Sequence, residues 1–216
     1  MPNEINIADL RQTYTRNELL EKNVSKNPFE TFHVWFEEAV KSGILEPNAM
    51  VLSTIENEMP SSRVVLLKAL DDTGFVFYTN YESHKGQQLV QNPFASLTFF
   101  WDKLERQVRV QGRVEFVSAE ESDAYFQSRP RGSQLGAWVS AQSTEIPDRS
   151  VLEDRLKELE TQYANELLPI PRPPHWGGIR ILPLKIEFWQ GRPNRLHDRL
   201  LYQKTENNWH ITRLSP

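Results

Sequence analysis

The sequence predicts a mainly β protein with α additions, its strands largely antiparallel and arranged as a barrel. Eight runs rich in β-branched and aromatic residues read as strands: "AMVLSTI", "SRVVLLKAL", "FVFYTN", "ASLTFFW", "RQVRVQGRVEFV", "IRILPLKIEFWQG", "DRLLYQK" and "WHITRLS". "IENEMPS" and "DDTG" separate the first three by tight turns, whereas parallel pairing would need crossover helices. Helical periodicity is confined to a few inserted segments, which suits a barrel with additions better than repeated βαβ units.

Residues 1–28 show no convincing apolar stripe and are expected to form a mobile arm, with a short helix near Ile7–Asn17. Residues 29–216 are expected to form a single domain. In "FETFHVWFEEAVKSG", Phe32, Trp35, Phe36, Ala39 and Val40 recur at helical spacing, and Gly43 supplies a stop. "SHKGQQLVQN" has the makings of a short helix. Ser118 with Glu121 forms a capping box that opens a helix through "AEESDAYFQS". Pro130 ends it, because the residue before a proline resists the helical conformation. "SQLGAWVSAQ" reads as another short helix and "DRSVLEDRLKELETQYANEL" as an amphipathic one. "PIPRPPHWGG" is a proline-rich connector, and "TENN" turns between the last two strands.

A chain of 216 residues supports one sizeable core. The net charge of −4 argues against bulk electrostatic binding of nucleic acid, while leaving room for a local basic cavity. The absence of cysteine excludes disulfides, thiolate nucleophiles, iron–sulfur clusters and Cys-ligated zinc. The first thirty residues lack an apolar signal core and no run reaches membrane-spanning length, so cytoplasmic residence is expected. Walker A, dinucleotide-binding, nucleophile-elbow and H-E-x-x-H patterns are all missing. The histidines at 33, 84, 175, 197 and 210 show no ligand spacing, so no metal is expected.

Cationic clusters are what remain. In "SRVVLLK", Arg63 and Lys68 sit among apolar residues, although strand parity sends them to opposite faces unless a bulge or strand end intervenes. In "SHKG", Ser83 and Lys85 at a helix N-terminus would seat a phosphate; a solvated turn explains them equally well. In "AYFQSRPRGSQLGAW", Tyr125 and Arg129 share a helical face and Ser133 follows, a phenol, guanidinium and hydroxyl suited to clamping a phosphate. Gln107, Arg109, Gln111 and Arg113 share the polar face of one strand. In "GRPNRLHDRLLY", an extended chain would project Arg195, His197 and Arg199 to one side, with Leu196 and Asp198 on the other. Together the cations suggest two phosphate-bearing ligands.

In this order, "SRVVLLK", "FVFYTN", "LERQVRVQG", "SRPRGSQLGAWVSAQS", "HWGG", "IEFWQG" and "RLHDR…Y" resemble the pyridoxine/pyridoxamine phosphate oxidase family, and "LRQTYT" in the arm also matches. The resemblance implies a homodimer of FMN-binding split barrels with each flavin at the subunit interface. It implies oxidation of pyridoxine or pyridoxamine 5′-phosphate to pyridoxal 5′-phosphate, with O2 reoxidising the flavin and yielding hydrogen peroxide. Carried over by position, the FMN contacts are Arg63, Val64, Val65, Leu66, Leu67 and Lys68, then Tyr78, Thr79, His84, Lys85, Gln107, Gln142, Ser143, Trp189 and Arg199. The substrate phosphate falls to Lys68, Tyr125, Arg129 and Ser133. Arg195 and His197 are implied to face the substrate ring as the catalytic pair, and Arg11 and Tyr14 to fold over as a lid.

One position departs from the family. His84 stands where an arginine often helps neutralise the FMN phosphate, and histidine is only partly charged near neutrality. FMN binding is therefore expected to be weaker than usual and to tighten as pH falls toward about 6. The rival readings are a related flavin oxidase acting on another ring, such as the phenazine-pathway relatives, a non-catalytic flavin or pyridoxal phosphate binder, and a single-strand nucleic-acid barrel. The acidic balance counts against the last.

Overall fold

The computed structural model describes residues 6–10 and 12–216. Nine strands and five α-helices are found among them. The helices are α1 (Pro28–Lys41), α2 (His84–Gln91), α3 (Ala119–Ser128), α4 (Arg131–Val139) and α5 (Ser150–Gln162). The strands are β1 (Ala49–Glu56), β2 (Met59–Leu66), β3 (Ala69–Leu70), β4 (Phe75–Asn80), β5 (Phe94–Trp101), β6 (Arg106–Phe116), β7 (Trp176–Gln190), β8 (Asp198–Lys204) and β9 (Trp209–Arg213). The pairing path runs β2-β1-β5-β6-β7-β4-β3, with β8 branching from β7 and β9 beyond it, and it does not close.

Antiparallel registers follow from the turns the sequence offers. β1 and β2 pair from Ala49↔Leu66 to Glu56↔Met59 across Asn57 and Glu58. Both turn residues have positive φ, as a two-residue hairpin that matches strand twist requires. β4 pairs with β7 from Phe75↔Ile181 to Asn80↔Trp176. β8 pairs with β7 and β9, with Trp189↔Arg199 in the first of these registers.

The chain divides into two compact units, each assembled from separated segments. One comprises the chain up to Pro47, Thr98–Val110 and Lys185–Pro216. Its core is aromatic: Phe32 of α1 is fully buried against Phe36, Phe99 and Trp101, and Trp35 meets Phe188 edge-on at 5.1 Å. Buried Arg106 lies 4.3 Å over the Trp35 ring and is held by Gln190 and Glu38. The other unit comprises Asn48–Leu97 and Gln111–Leu184. There Phe126, Leu135, Leu159, Ile170 and Trp176 form a cluster that seats α3, α4 and α5.

Several expectations shift. The helix anticipated near Ile7–Asn17 is a single 3-10 turn at Ile7–Asp9, since the segment has no apolar face to bury. α5 stops at Gln162, short of "YANEL". "SRVVLLKAL" is two strands, because the chain leaves β1 at Leu67 and joins β4 at Lys68: Leu67 N donates to Asn48 O and Lys68 N to Val76 O, both at 2.8 Å. The stretch around Arg195 is not extended, since Pro193–Arg195 is a 3-10 turn and β8 begins only at Asp198. The projected row of Arg195, His197 and Arg199 on one strand face is therefore corrected.

β6 alternates buried and open positions as its sequence predicts, with Val108, Val110 and Val114 inward. Gly112 continues the inward row where the strand passes Leu182, and a Cβ there would lie 2.1 Å from the Leu182 carbonyl oxygen. Gly112→Ala is thus expected to lower the unfolding free energy by about 1–3 kcal/mol or more. A urea midpoint equal to that of the parent protein would contradict this.

Candidate active site

A cavity of about 580 Å³ opens in the second unit. One wall is the end of β2, where Val64, Val65 and Leu66 line it together with Lys68. The break after Leu66 answers the parity problem, because Lys68 lies past the strand and reaches the cavity. Arg63 does not line it. Its guanidinium turns to Thr54 Oγ1 at 2.6 Å, Ser61 Oγ at 2.7 Å and Gln88 Oε1 at 3.2 Å. Leu67 is buried and also absent from the lining.

β4 contributes Tyr78, Thr79 and Asn80, and α2 contributes Lys85. Ser83 caps α2, its Oγ accepting from Gly86 N and donating to Asn80 O at 2.6 Å. Lys85 Nζ donates to Gln142 Oε1 at 2.7 Å and to Ser83 Oγ at 3.3 Å. Burial, and secondarily the Arg63 cation, push the Lys85 ammonium down to about 8. His84 is exposed, and its backbone N–H donates to Ser143 Oγ at 3.3 Å. Ser143 has φ +74°, a left-handed residue that bends the loop carrying Gln142 back onto α2.

α3 and α4 meet at Pro130 and bring Tyr125, Arg129 and Ser133 to the same cavity. The Tyr125 ring stacks on Tyr78 at 3.8 Å, and Trp176 continues the stack 5.4 Å from Tyr78. Arg129 lies 4.5 Å over Trp176 and 5.6 Å from the Phe126 ring. Its Nη1 is buried and has no hydrogen-bond partner among the described residues. Burial lowers the Arg129 pKa and raises that of Tyr125, and Tyr78 is pushed up to about 12 mainly by burial. Both phenols therefore stay protonated at neutral pH and can donate. Trp176 lines the cavity and braces Arg129, yet sequence reading gave it no role; nothing in "HWGG" reveals that its ring, at the start of β7, would stand beneath a cation at the end of α3.

The other unit holds a second set of expected residues. The Trp189 ring lies 4.7 Å from His197, and Tyr14 packs edge-on to both, 5.7 Å from Trp189 and 5.8 Å from His197. His197 Nδ1 accepts from Arg192 N at 3.1 Å. Burial, then the Arg195 cation, lowers the His197 pKa. Arg195 is exposed on a turn where both Asn194 and Arg195 have positive φ, at 56° and 62°. Arg199 is clamped by Glu187, Nε to Oε1 at 2.8 Å and Nη2 to Oε2 at 3.2 Å, and it donates to Ser215 O. Glu187, a buried carboxylate shared with Arg109 at 3.5 Å, was not anticipated. Gln107 is half-buried on β6. Arg11 lies outside the described residues.

Residues 36–163 match the pyridoxamine 5′-phosphate oxidase family, and residues 176–216 match the pyridoxine 5′-phosphate oxidase C-terminal dimerisation region. The chain belongs to the pyridoxine/pyridoxamine 5′-phosphate oxidase family. Relatives in this family that bear its name include one from Synechocystis sp., 57% identical over 98% of this chain and 99% of that protein. Another, from Gloeothece citriformis, is 59% identical over 97% of this chain and 98% of its own. Among solved structures, PhzG from Burkholderia lata in complex with tetrahydrophenazine-1-carboxylic acid superposes with a TM-score of 0.86 at 29% identity, covering 93% of this chain and 99% of that one. A pyridoxamine 5′-phosphate oxidase-related, FMN-binding protein from Nostoc punctiforme shares the fold, with a TM-score of 0.70 at 17% identity over 90% of this chain and 99% of that one. The oxidase family's fold is thus the split barrel expected from the motifs. No helix among the described residues is long and apolar enough to cross a membrane, and no group of metal-ligating side chains is found among them.

Proposed function

We propose that the protein is a homodimeric, cytoplasmic FMN-dependent oxidase that converts pyridoxine 5′-phosphate or pyridoxamine 5′-phosphate to pyridoxal 5′-phosphate, with O2 as final oxidant and hydrogen peroxide as by-product. The observation that carries this reading is half-buried Arg129, whose buried Nη1 has no partner among the described residues on a cavity wall shared with Lys68, Tyr125 and Ser133. A buried guanidinium nitrogen left unpaired is costly, and a phosphate oxygen is the acceptor that suits it.

The donor set also fits FMN. Lys85, the capped N-terminus of α2 and the Gln142–Ser143 loop form a seat for a second phosphate. Val64, Val65, Leu66, Tyr78 and Thr79 provide a mixed apolar and hydrogen-bonding wall, and Arg63 acts through the field it exerts on Lys85. Gln107, Trp189 and Arg199 complete the cofactor contacts of the dimer. When bound, FMN supplies a two-electron acceptor for the hydride leaving the substrate carbon. The chain's own residues bind and orient: Lys68, Tyr125, Arg129 and Ser133 anchor the substrate phosphate, and Arg195 with His197 addresses the ring. Arg195 serves as an electrostatic and orienting group rather than as a base. Arg11 and Tyr14 act as the lid, a role supported at Tyr14 by its packing on Trp189 and His197.

FMN affinity is expected to depend on pH through Lys85. Lys85 loses its proton as pH rises through about 8, so affinity for the dianionic phosphate falls above that point. Lys85→Met should abolish this alkaline fall. Titrating flavin fluorescence across the range checks this, and an affinity indifferent to alkaline pH would contradict it.

The PhzG superposition favours one rival, an oxidase acting on a phosphate-free ring. Anaerobic addition of pyridoxine 5′-phosphate to the FMN-loaded protein separates the two. Bleaching that returns with air, with pyridoxal 5′-phosphate formed, supports the oxidase assignment. A persistent yellow colour with both pyridoxine and pyridoxamine phosphates refutes it.

A further inference from the structure

We infer that His197 is locked as the neutral Nε2–H tautomer by the main-chain N–H of Arg192, so that the ring edge left for a ligand is a hydrogen-bond donor and not a base. An amide N–H can only donate, so the 3.1 Å contact from Arg192 N places the imidazole lone pair on Nδ1. A neutral imidazole carries one N–H, which must then sit on Nε2. Adding a proton at Nδ1 would set two N–H groups against each other and break this bond.

The surroundings hold the arrangement. The His197 ring packs on Trp189 of β7 at 4.7 Å and on Tyr14 of the N-terminal segment at 5.8 Å, which restricts ring rotation. Gly191, directly before Arg192, runs so close to Tyr14 that a Cβ there would meet the ring's Cγ at 2.6 Å. The Arg192 amide is therefore positioned from both sides, by its glycine neighbour under Tyr14 and by the imidazole it addresses. The charges nearby do not favour an imidazolium. Arg195 stands on the same turn, and the Asp198 carboxylate is engaged by Arg213 at 2.7 Å, with Arg192 Nε at 3.7 Å. Arg192 is thus a positioning residue through its backbone, and His197 is a directional donor.

For the proposed oxidation, on which this consequence rests, His197 donates from Nε2 to an acceptor oxygen of the pyridine substrate. It has no free lone pair with which to take the proton lost as the alcohol or amine is oxidised, and that proton passes to water. The ligand class this suits is a ring with an oxygen acceptor at its edge.

The test is two-bond 1H–15N correlation spectroscopy of histidine-labelled holoenzyme near neutral pH, with the His197 signals identified by their loss in His197→Gln. The expected pattern is an unprotonated Nδ1 and a protonated Nε2, retained when pyridoxal 5′-phosphate is added. An Nδ1–H tautomer or a doubly protonated ring overturns the proposal. The donor role has its own readout. Gln places an amide N–H near the reach of Nε2 and Asn near that of Nδ1, so kcat/KM for His197→Gln should exceed that of His197→Asn by about tenfold. Equal values, or a better Asn variant, overturn the donor role. Failure of the oxidase reading would show separately, as absent flavin bleaching, and would leave the tautomer result standing.

Discussion

Arg129→Leu is expected to raise KM for pyridoxine 5′-phosphate by about 100-fold or more while changing kcat far less. Removing one member of a desolvated charge pair costs about 2–5 kcal/mol, and a factor of 100 corresponds to about 2.7 kcal/mol. Two features set Arg129 apart from the other cations of the cavity. Its Nη1 is buried without a partner among the described residues, whereas Lys85 already has Gln142 and Ser83. Its guanidinium is also flanked by the Trp176 and Phe126 rings, which exclude water and strengthen a phosphate contact. Leucine suits that apolar setting, so the fold should persist and the loss should fall on binding. Anchoring that is equal in ground and transition states appears in KM. Steady-state kinetics would decide it, and a KM within about threefold of the parent value would remove Arg129 from the phosphate clamp.

The second large effect concerns Arg195 and runs in opposite directions for stability and turnover. A non-glycine residue in the left-handed region costs about 1 kcal/mol, and Arg195 sits there at φ 62° directly after Asn194 at 56°. The side chain is exposed, so no packing compensates at that position. Arg195→Gly should leave the unfolding free energy unchanged or raise it by up to about 1 kcal/mol, the relief being partly offset by glycine's greater freedom when unfolded. On the orienting role proposed for Arg195, turnover should fall by about 100-fold while FMN is retained. Thermal melts and single-turnover flavin reduction measure the two separately. A variant that melts early yet turns over normally would show that the strained turn serves the fold alone. The expected pattern is that of a strained functional residue, tolerated because the site requires it.

Much of the fold was legible because its signals are local. The β1–β2 hairpin is carried by runs rich in apolar and β-branched residues around a two-residue turn at positive φ, and both are properties of a few consecutive residues. The capping box at Ser118 is as local, with Ser118 Oγ accepting from Glu121 N at 3.1 Å. The motif order also identified the family, since ordered motifs over most of a chain are hard to produce by chance. Where sequence reading failed, the deciding contact was distant. The Arg195–His197–Arg199 row assumed an extended chain, but Pro193 and two left-handed residues fold it into a turn. Arg199 of that row is paired with Glu187 across the β7–β8 ladder, a carboxylate that no local spacing points to.

The sequence by itself determined the strand-rich class, the helix caps, the turn positions, the absence of thiol chemistry, and the family. Each depends on residue type and short-range spacing, which the backbone's steric preferences read directly. Only the tertiary structure decided which cations have protein partners. Arg63 is engaged by Thr54, Ser61 and Gln88, Arg199 by Glu187, and Arg129 alone of these three keeps a buried nitrogen without an acceptor among the described residues. It also decided which nitrogen of His197 carries the proton. Charge pairing and desolvation depend on which groups converge in space. Residues far apart in the chain become partners only once the strands that carry them have paired.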